Sequence, residues 1–152
     1  MDQAGVLVQF KDLGVAAALG LAATGSALGI GVAGMAAVGA WKKCYAQNRM
    51  APFLLIVFIG APLSQTIYRM ILMNKIAEVA AKGVFLSSVG IFGGAAIGMS
   101  AFYQGKIGAS GADALAETGK GFTNYLIALG IIETVALFVM VFLLGKIDVL
   151  AG

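Results

Sequence analysis

Glu133 stands in the run "GIIETVALF" (130–138), where only Thr134 is also polar. The nearest charges in sequence are Lys120 and Lys146. A lone carboxylate in such a run suits one kind of chemistry, the uptake and release of a proton or a small cation. The chain has no histidine, which removes the commonest general base and metal ligand. Cys44 is the single cysteine, so neither an internal disulfide nor a cysteine metal cluster can form. One helical turn from Glu133 lie Leu129, Gly130, Ala136 and Leu137, none of which solvates a charge. Any partner must come from another helix. An ionisable side chain in a membrane segment is a functional site by default.

Two other stretches supply partners. In "PLSQTIY" (62–68), Ser64, Gln65 and Tyr68 stand at i, i+1 and i+4, on one helical face. Pro62 removes a backbone hydrogen bond and bends the chain, which turns carbonyls near Ala61 inward. Gln104 is the only amide in its span. Together these make a carboxylate, two amide oxygens, a hydroxyl and a carbonyl, with the Tyr68 phenol placed to donate to the carboxylate. Hard cations prefer such all-oxygen shells. A proton needs only one acceptor. Taken singly, Ser64, Gln65 and Gln104 would be interhelical glue worth about 0.6–2 kcal/mol each. As a set they favour Na⁺ over H⁺, because polar groups left unpaired would cost about 1–3 kcal/mol apiece.

The elements that must hold these residues are membrane helices. Hydrophobic residues make up 61% of the 152 and charged residues 11%, against roughly 25% charged in soluble domains. About 20 apolar residues cross a bilayer, which predicts four spans near 13–41, 52–74, 84–111 and 122–145. The first is too long for a signal peptide and follows Asp2, Lys11 and Asp12 rather than a basic stretch, so a retained span is expected. Basic residues divide evenly: Lys42, Lys43, Arg49 and Lys120 on one side, Lys11, Lys75, Lys82 and Lys146 on the other. The clustering of Lys42, Lys43 and Arg49 favours a cytoplasmic 42–51 loop. A net charge of +3 with no stacking aromatics among the basic residues argues against nucleic acid as a partner.

The chain also reads as a hairpin made twice, 1–78 and 79–152. "GSALGI" (25–30) resembles "GAAIGM" (94–99), and "SQTIYRMIL" (64–72) resembles "IETVALFVM" (132–140), at nearly equal offsets. This pairing sets Gln65 against Glu133, so one half keeps the acid and the other its neutral isostere. Gly25 and Gly29, and Gly90, Gly94 and Gly98, follow the spacing that lets helix backbones approach closely in lipid. They fit either close helix packing within one bundle or, with the bulkier second and fourth helices outside, a ring whose tight inner wall is formed by the first and third helices.

The segments "GSALGIG", "PLSQTIY", "QGKIGASG" (104–111) and "IETVALF" together resemble the rotor-ring proteolipid of V-type and A/V-type ATPases in its bacterial four-helix form. The resemblance spans essentially the whole chain. It implies an all-α membrane protein of two duplicated hairpins, many copies of which close into a ring. It implies an ion site at Glu133, Gln65, Gln104, Ser64 and the Ala61 carbonyl, with Tyr68 bonding the carboxylate, and Na⁺ as the cargo. The ring would turn past a stator subunit and carry central-stalk subunits, with ATP chemistry on other chains and no organic cofactor. Both termini would face outward from the inner (plasma) membrane, and loops 42–51 and 112–121 the cytoplasm. Arg69 departs from the apolar pattern, and snorkelling to the headgroups is its expected solution. Lys106 has no assigned role. A self-contained four-helix transporter is the alternative class, though one buried acid with no second relay leaves it no access path of its own.

Overall fold

In a computed structural model of the protein, the backbone of residues 3–151 and the side chains of 13–150 are described. Asp2, Lys11 and Asp12, which entered the reading of the first span, lie outside the described side chains. All regular structure among the described residues is helical. Helix α1 runs Gln3–Ala46, α2 Leu55–Gly60, a 3-10 turn Ala61–Leu63, α3 Gln65–Ala81, α4 Ser87–Thr118 and α5 Phe122–Ala151.

Pro62 causes the interruption between α2 and α3. It lacks an N–H and its ring crowds the carbonyl one turn earlier, that of Phe58. The chain tightens to a 3-10 turn and resumes as α3, so α2 to α3 forms one bent span. The helices outrun the expected spans at most ends. Lys42 and Lys43 ride on the last turn of α1 and residues 112–118 on α4, which shortens the second of the expected loops to a few residues.

Three segments are long and apolar enough to cross a membrane: Leu13–Ala46, Leu55–Ala81 and Phe122–Leu150. The expectation of four holds by length but not by hydropathy. At 32 residues α4 extends about 48 Å, yet glycine, serine, Gln104 and Lys106 dilute its apolar content. The reason is positional. α4 packs on every other helix and buries Gly90, Gly93, Gly94, Gly98, Gly105, Gly108 and Gly111. Its surroundings are largely protein backbone, where small size serves better than greasiness.

The tightest pairing is α1 on α4. A Cβ added at Gly25 would lie 2.0 Å from the Gly98 carbonyl oxygen, one at Gly29 2.4 Å from that of Ala101, and one at Gly90 2.0 Å from that of Gly14. Cβ atoms at Gly94 and Gly98 would meet the Ala17 and Leu21 carbonyl oxygens at 2.7 Å. All five expected packing glycines thus lie where two backbones touch within one chain. Gly105, unforeseen, belongs with them, since a Cβ there would lie 2.1 Å from the Gly29 carbonyl oxygen.

Two apolar clusters fill the bundle. One gathers Ala22, Leu72, Ile97, Ala136 and Ile147. The other gathers Ala37, Phe58, Ala112, Leu115 and Leu129. On α1, α3, α4 and α5 the residues between these clusters include polar ones: Ser26 on α1, Ser64 just before α3 with Gln65, Thr66, Tyr68 and Arg69 on it, Ser100 and Gln104 on α4, and Glu133 on α5. The fold therefore contains a polar layer between two apolar slabs.

Candidate ion-binding site

Glu133 is half-buried at the centre of this layer, with exposed Ile131, Val135 and Phe138 around it on α5. Its Oε1 accepts from Ser64 Oγ at 2.6 Å and from the Tyr68 hydroxyl at 2.9 Å. Its Oε2 accepts from Gln104 Nε2 at 3.3 Å. The 3-10 turn sets up the first of these contacts. The Ala61 carbonyl lies 2.9 Å from Ser64 Oγ, so one hydroxyl proton stands between two acceptors. The carboxylate is the nearer and the charged one, and charge-assisted bonds are the stronger. The Ala61 oxygen also accepts from the Ser64 backbone N–H at 3.3 Å, which holds the turn together and keeps that carbonyl beside the Ser64 hydroxyl.

Gln65 and Gln104 are both 0% exposed. Gln65 Nε2 donates to Gln104 Oε1 at 3.0 Å and to Ser100 Oγ at 3.2 Å. Gln104 Nε2 also reaches the Leu129 carbonyl at 3.2 Å, one turn before Glu133. Ser100 in turn donates to the Ile132 carbonyl at 2.7 Å. A line of bonds thus runs from α3 through α4 to the carboxylate on α5. Gln65 Oε1, however, is buried without any donor. A buried acceptor in that condition costs about 1–3 kcal/mol, a cost that a cation or a donor from outside the chain would remove.

Every expected side chain and the expected carbonyl therefore lie in one connected group. Sequence reasoning missed Ser100, although its position one helical turn before Gln104 puts it on the same face. It also missed Ser26, whose Oγ donates to the Pro62 carbonyl at 2.9 Å and anchors the bend to α1.

One expectation is corrected, and one residue without a role gains a contact. Arg69 does not snorkel; it is 1% exposed, and its guanidinium is hydrogen-bonded inside the polar layer. From mid-layer its side chain turns to Ser26 on the adjacent α1 rather than to a distant headgroup. Lys106 spends its charge locally, with its ammonium 4.6 Å from the Phe102 ring centroid and 5.3 Å from that of Tyr103.

The helix ends carry ordinary surface charge. Lys43 bridges α1 to α4 through Asp113 at 2.9 Å and Glu117 at 3.5 Å. Lys75 bridges α3 to α5 through Asp148 at 3.0 Å. Such exposed pairs contribute about 0–1 kcal/mol each, so they trim the bundle rather than hold it.

The half of the site on α4 and α5 also carries a kinship. Residues 84–144 match the family of the ATP synthase C subunit. The match takes in all of α4 and α5 as far as Leu144, including Gln104 and Glu133. No curated protein matches the chain. Members of that family are non-catalytic, membrane-embedded rotor proteolipids that carry ions and form oligomeric rings against a stator.

Proposed function

We propose that the protein is the ion-carrying proteolipid of a V-type ATPase rotor ring, built as a duplicated hairpin (1–78 and 79–152), and that its cargo is Na⁺. Glu133 supplies the charge. Ser64, Gln65, Gln104 and the Ala61 carbonyl supply neutral oxygens, while Tyr68 donates to the carboxylate and fixes its rotamer. The observation that carries the choice of Na⁺ is Gln65 Oε1, a fully buried amide oxygen without a donor, two hydrogen bonds from Glu133. A proton carrier has no use for it; a hard cation does. In this reading Na⁺ neutralises the carboxylate as the ring turns, and the half-exposed position of Glu133 lets a stator load and unload it. Both termini then face outward and loops 42–51 and 112–121 the cytoplasm, where central-stalk subunits dock.

Carbodiimide labelling tests the ion. The reagent attacks the protonated acid, so millimolar Na⁺ is expected to slow modification of Glu133 in the purified ring. Half-protection is expected at higher Na⁺ as pH falls, because protons and Na⁺ compete for one carboxylate. Gln65→Leu removes a ligand and the partner of Gln104, and is expected to raise the half-protecting Na⁺ concentration about tenfold or more, as loss of roughly 1–3 kcal/mol implies. Labelling that ignores Na⁺ at neutral pH would make the cargo a proton. The mass of the detergent-extracted assembly tests the ring: a closed multimer is expected, and a monomer would return the chain to the class of self-contained transporters.

A further inference from the structure

Arg69 is the second charged side chain in the polar layer, and nothing above uses it. Its Nε donates to the Gln65 backbone carbonyl at 3.1 Å, and its Nη2 to Ser26 Oγ at 2.8 Å and to Thr66 Oγ1. Its Nη1 has no partner. Among the described residues no carboxylate pairs with it. The groups that meet it, Ser26 from α1 and Gln65 and Thr66 from its own helix, are all neutral. A guanidinium does not lose its proton in a protein, so this charge is permanent. A buried cation without an acid beside it costs more than three neutral hydrogen bonds return. An apolar residue of similar volume would join α3 to α1 without that cost.

What a fixed charge offers here is compensation for Glu133. Arg69 follows Tyr68, whose hydroxyl touches Glu133 Oε1, and its Nε grips the backbone of Gln65, whose side chain begins the line of bonds to Glu133 Oε2. The two charges occupy one layer between two apolar slabs, where little screens them. Building on the reading of Glu133 as a cation site, we propose that Arg69 is the built-in counter-charge of the empty site, a positioning residue that lowers cation affinity and so speeds release. With the cargo gone, Glu133 and Arg69 sum to zero. With Na⁺ bound, the layer carries one positive charge. The emptied carboxylate is then tolerated in the membrane, and the loaded site is held less tightly than its oxygen shell alone would hold it.

Equilibrium binding of radioactive Na⁺ to detergent-purified rings of the full chain, at one fixed pH, tests this. Arg69→Met is expected to bind Na⁺ roughly tenfold more tightly, because it removes a fixed positive charge from the layer that holds Glu133. Arg69→Lys keeps the charge and is expected to stay within about threefold of the unaltered ring. Thr66→Asp sets an acid against the guanidinium, neutralises it without removing it, and is expected to tighten binding as Arg69→Met does. It carries the test if Arg69→Met does not assemble. Damage to packing would loosen the site, so unchanged or weaker binding in either neutralised variant overturns the proposal. So does Arg69→Lys if it binds as tightly as Arg69→Met, or if it fails to assemble. A ring that binds no Na⁺ before any substitution overturns the Na⁺ reading itself, and this inference with it.

Discussion

Glu133→Gln is expected to assemble normally and to transport nothing. The amide fills the same volume as the acid, and its oxygen still accepts from Ser64 and Tyr68 on the Oε1 side. Its NH₂ would confront Gln104 Nε2 on the other side. Gln104 can turn its amide to present oxygen, and Gln65 can turn in response, because its own Oε1 is free to swing toward Gln104. The rearrangement gives up the bonds from Gln104 to the Leu129 carbonyl and from Gln65 to Ser100 Oγ, worth about 1 kcal/mol each. That leaves an assembled protein with a modest loss of stability. The charge cycle is lost completely, since an amide neither ionises nor neutralises a cation. Mass of the extracted assembly and Na⁺ uptake by the reconstituted complex check the two halves. Uptake above background in this variant would put the translocated ion elsewhere.

The second large effect needs only a methyl group. Gly25→Ala is expected to prevent α1 from seating on α4 and to abolish assembly, because its Cβ would lie 2.0 Å from the Gly98 carbonyl oxygen and 2.4 Å from the Gly98 Cα. Overpacking a core usually costs about 1–3 kcal/mol because side chains yield. Here both partners are backbone and neither can rotate away, so the cost lies above that range. Gly145→Ala is the contrast. Gly145 is exposed on α5, nothing lies within 4 Å of the added carbon, and helix propensity gains up to about 1 kcal/mol. Extracted mass and thermal stability of the two variants are expected to separate widely. Equal tolerance would mean that the glycines of α1 serve no close approach.

The helical class was legible in residue type and composition alone. Apolar runs of bilayer length admit only helices, because backbone groups in lipid must be paired within the segment. A carboxylate inside one of those runs marks the candidate ion-binding residue, because keeping a charge there is costly. The membership of the site was also legible. Ser64, Gln65 and Tyr68 share a helical face, Pro62 announces the bend, and Gln104 is the only amide in its span. These are local features, fixed by residue type and by the helical period.

Only the tertiary structure decided what depends on which faces meet. The apolar poverty of α4 reads as a weak span until α4 is seen to pack against every other helix, where glycine is required by backbone contact and not by lipid. Gly105 lies outside the spacing of the five expected glycines and is nonetheless a contact point with Gly29. The orphan oxygen of Gln65 has no sequence signature, because whether an amide is satisfied depends on partners 35 and 39 residues away, Ser100 and Gln104. Arg69 shows the limit most plainly. Its reach permits snorkelling from almost any depth, so composition predicts an exit to the headgroups. Its direction follows Ser26, 43 residues earlier, which offers an acceptor inside the bundle at 2.8 Å.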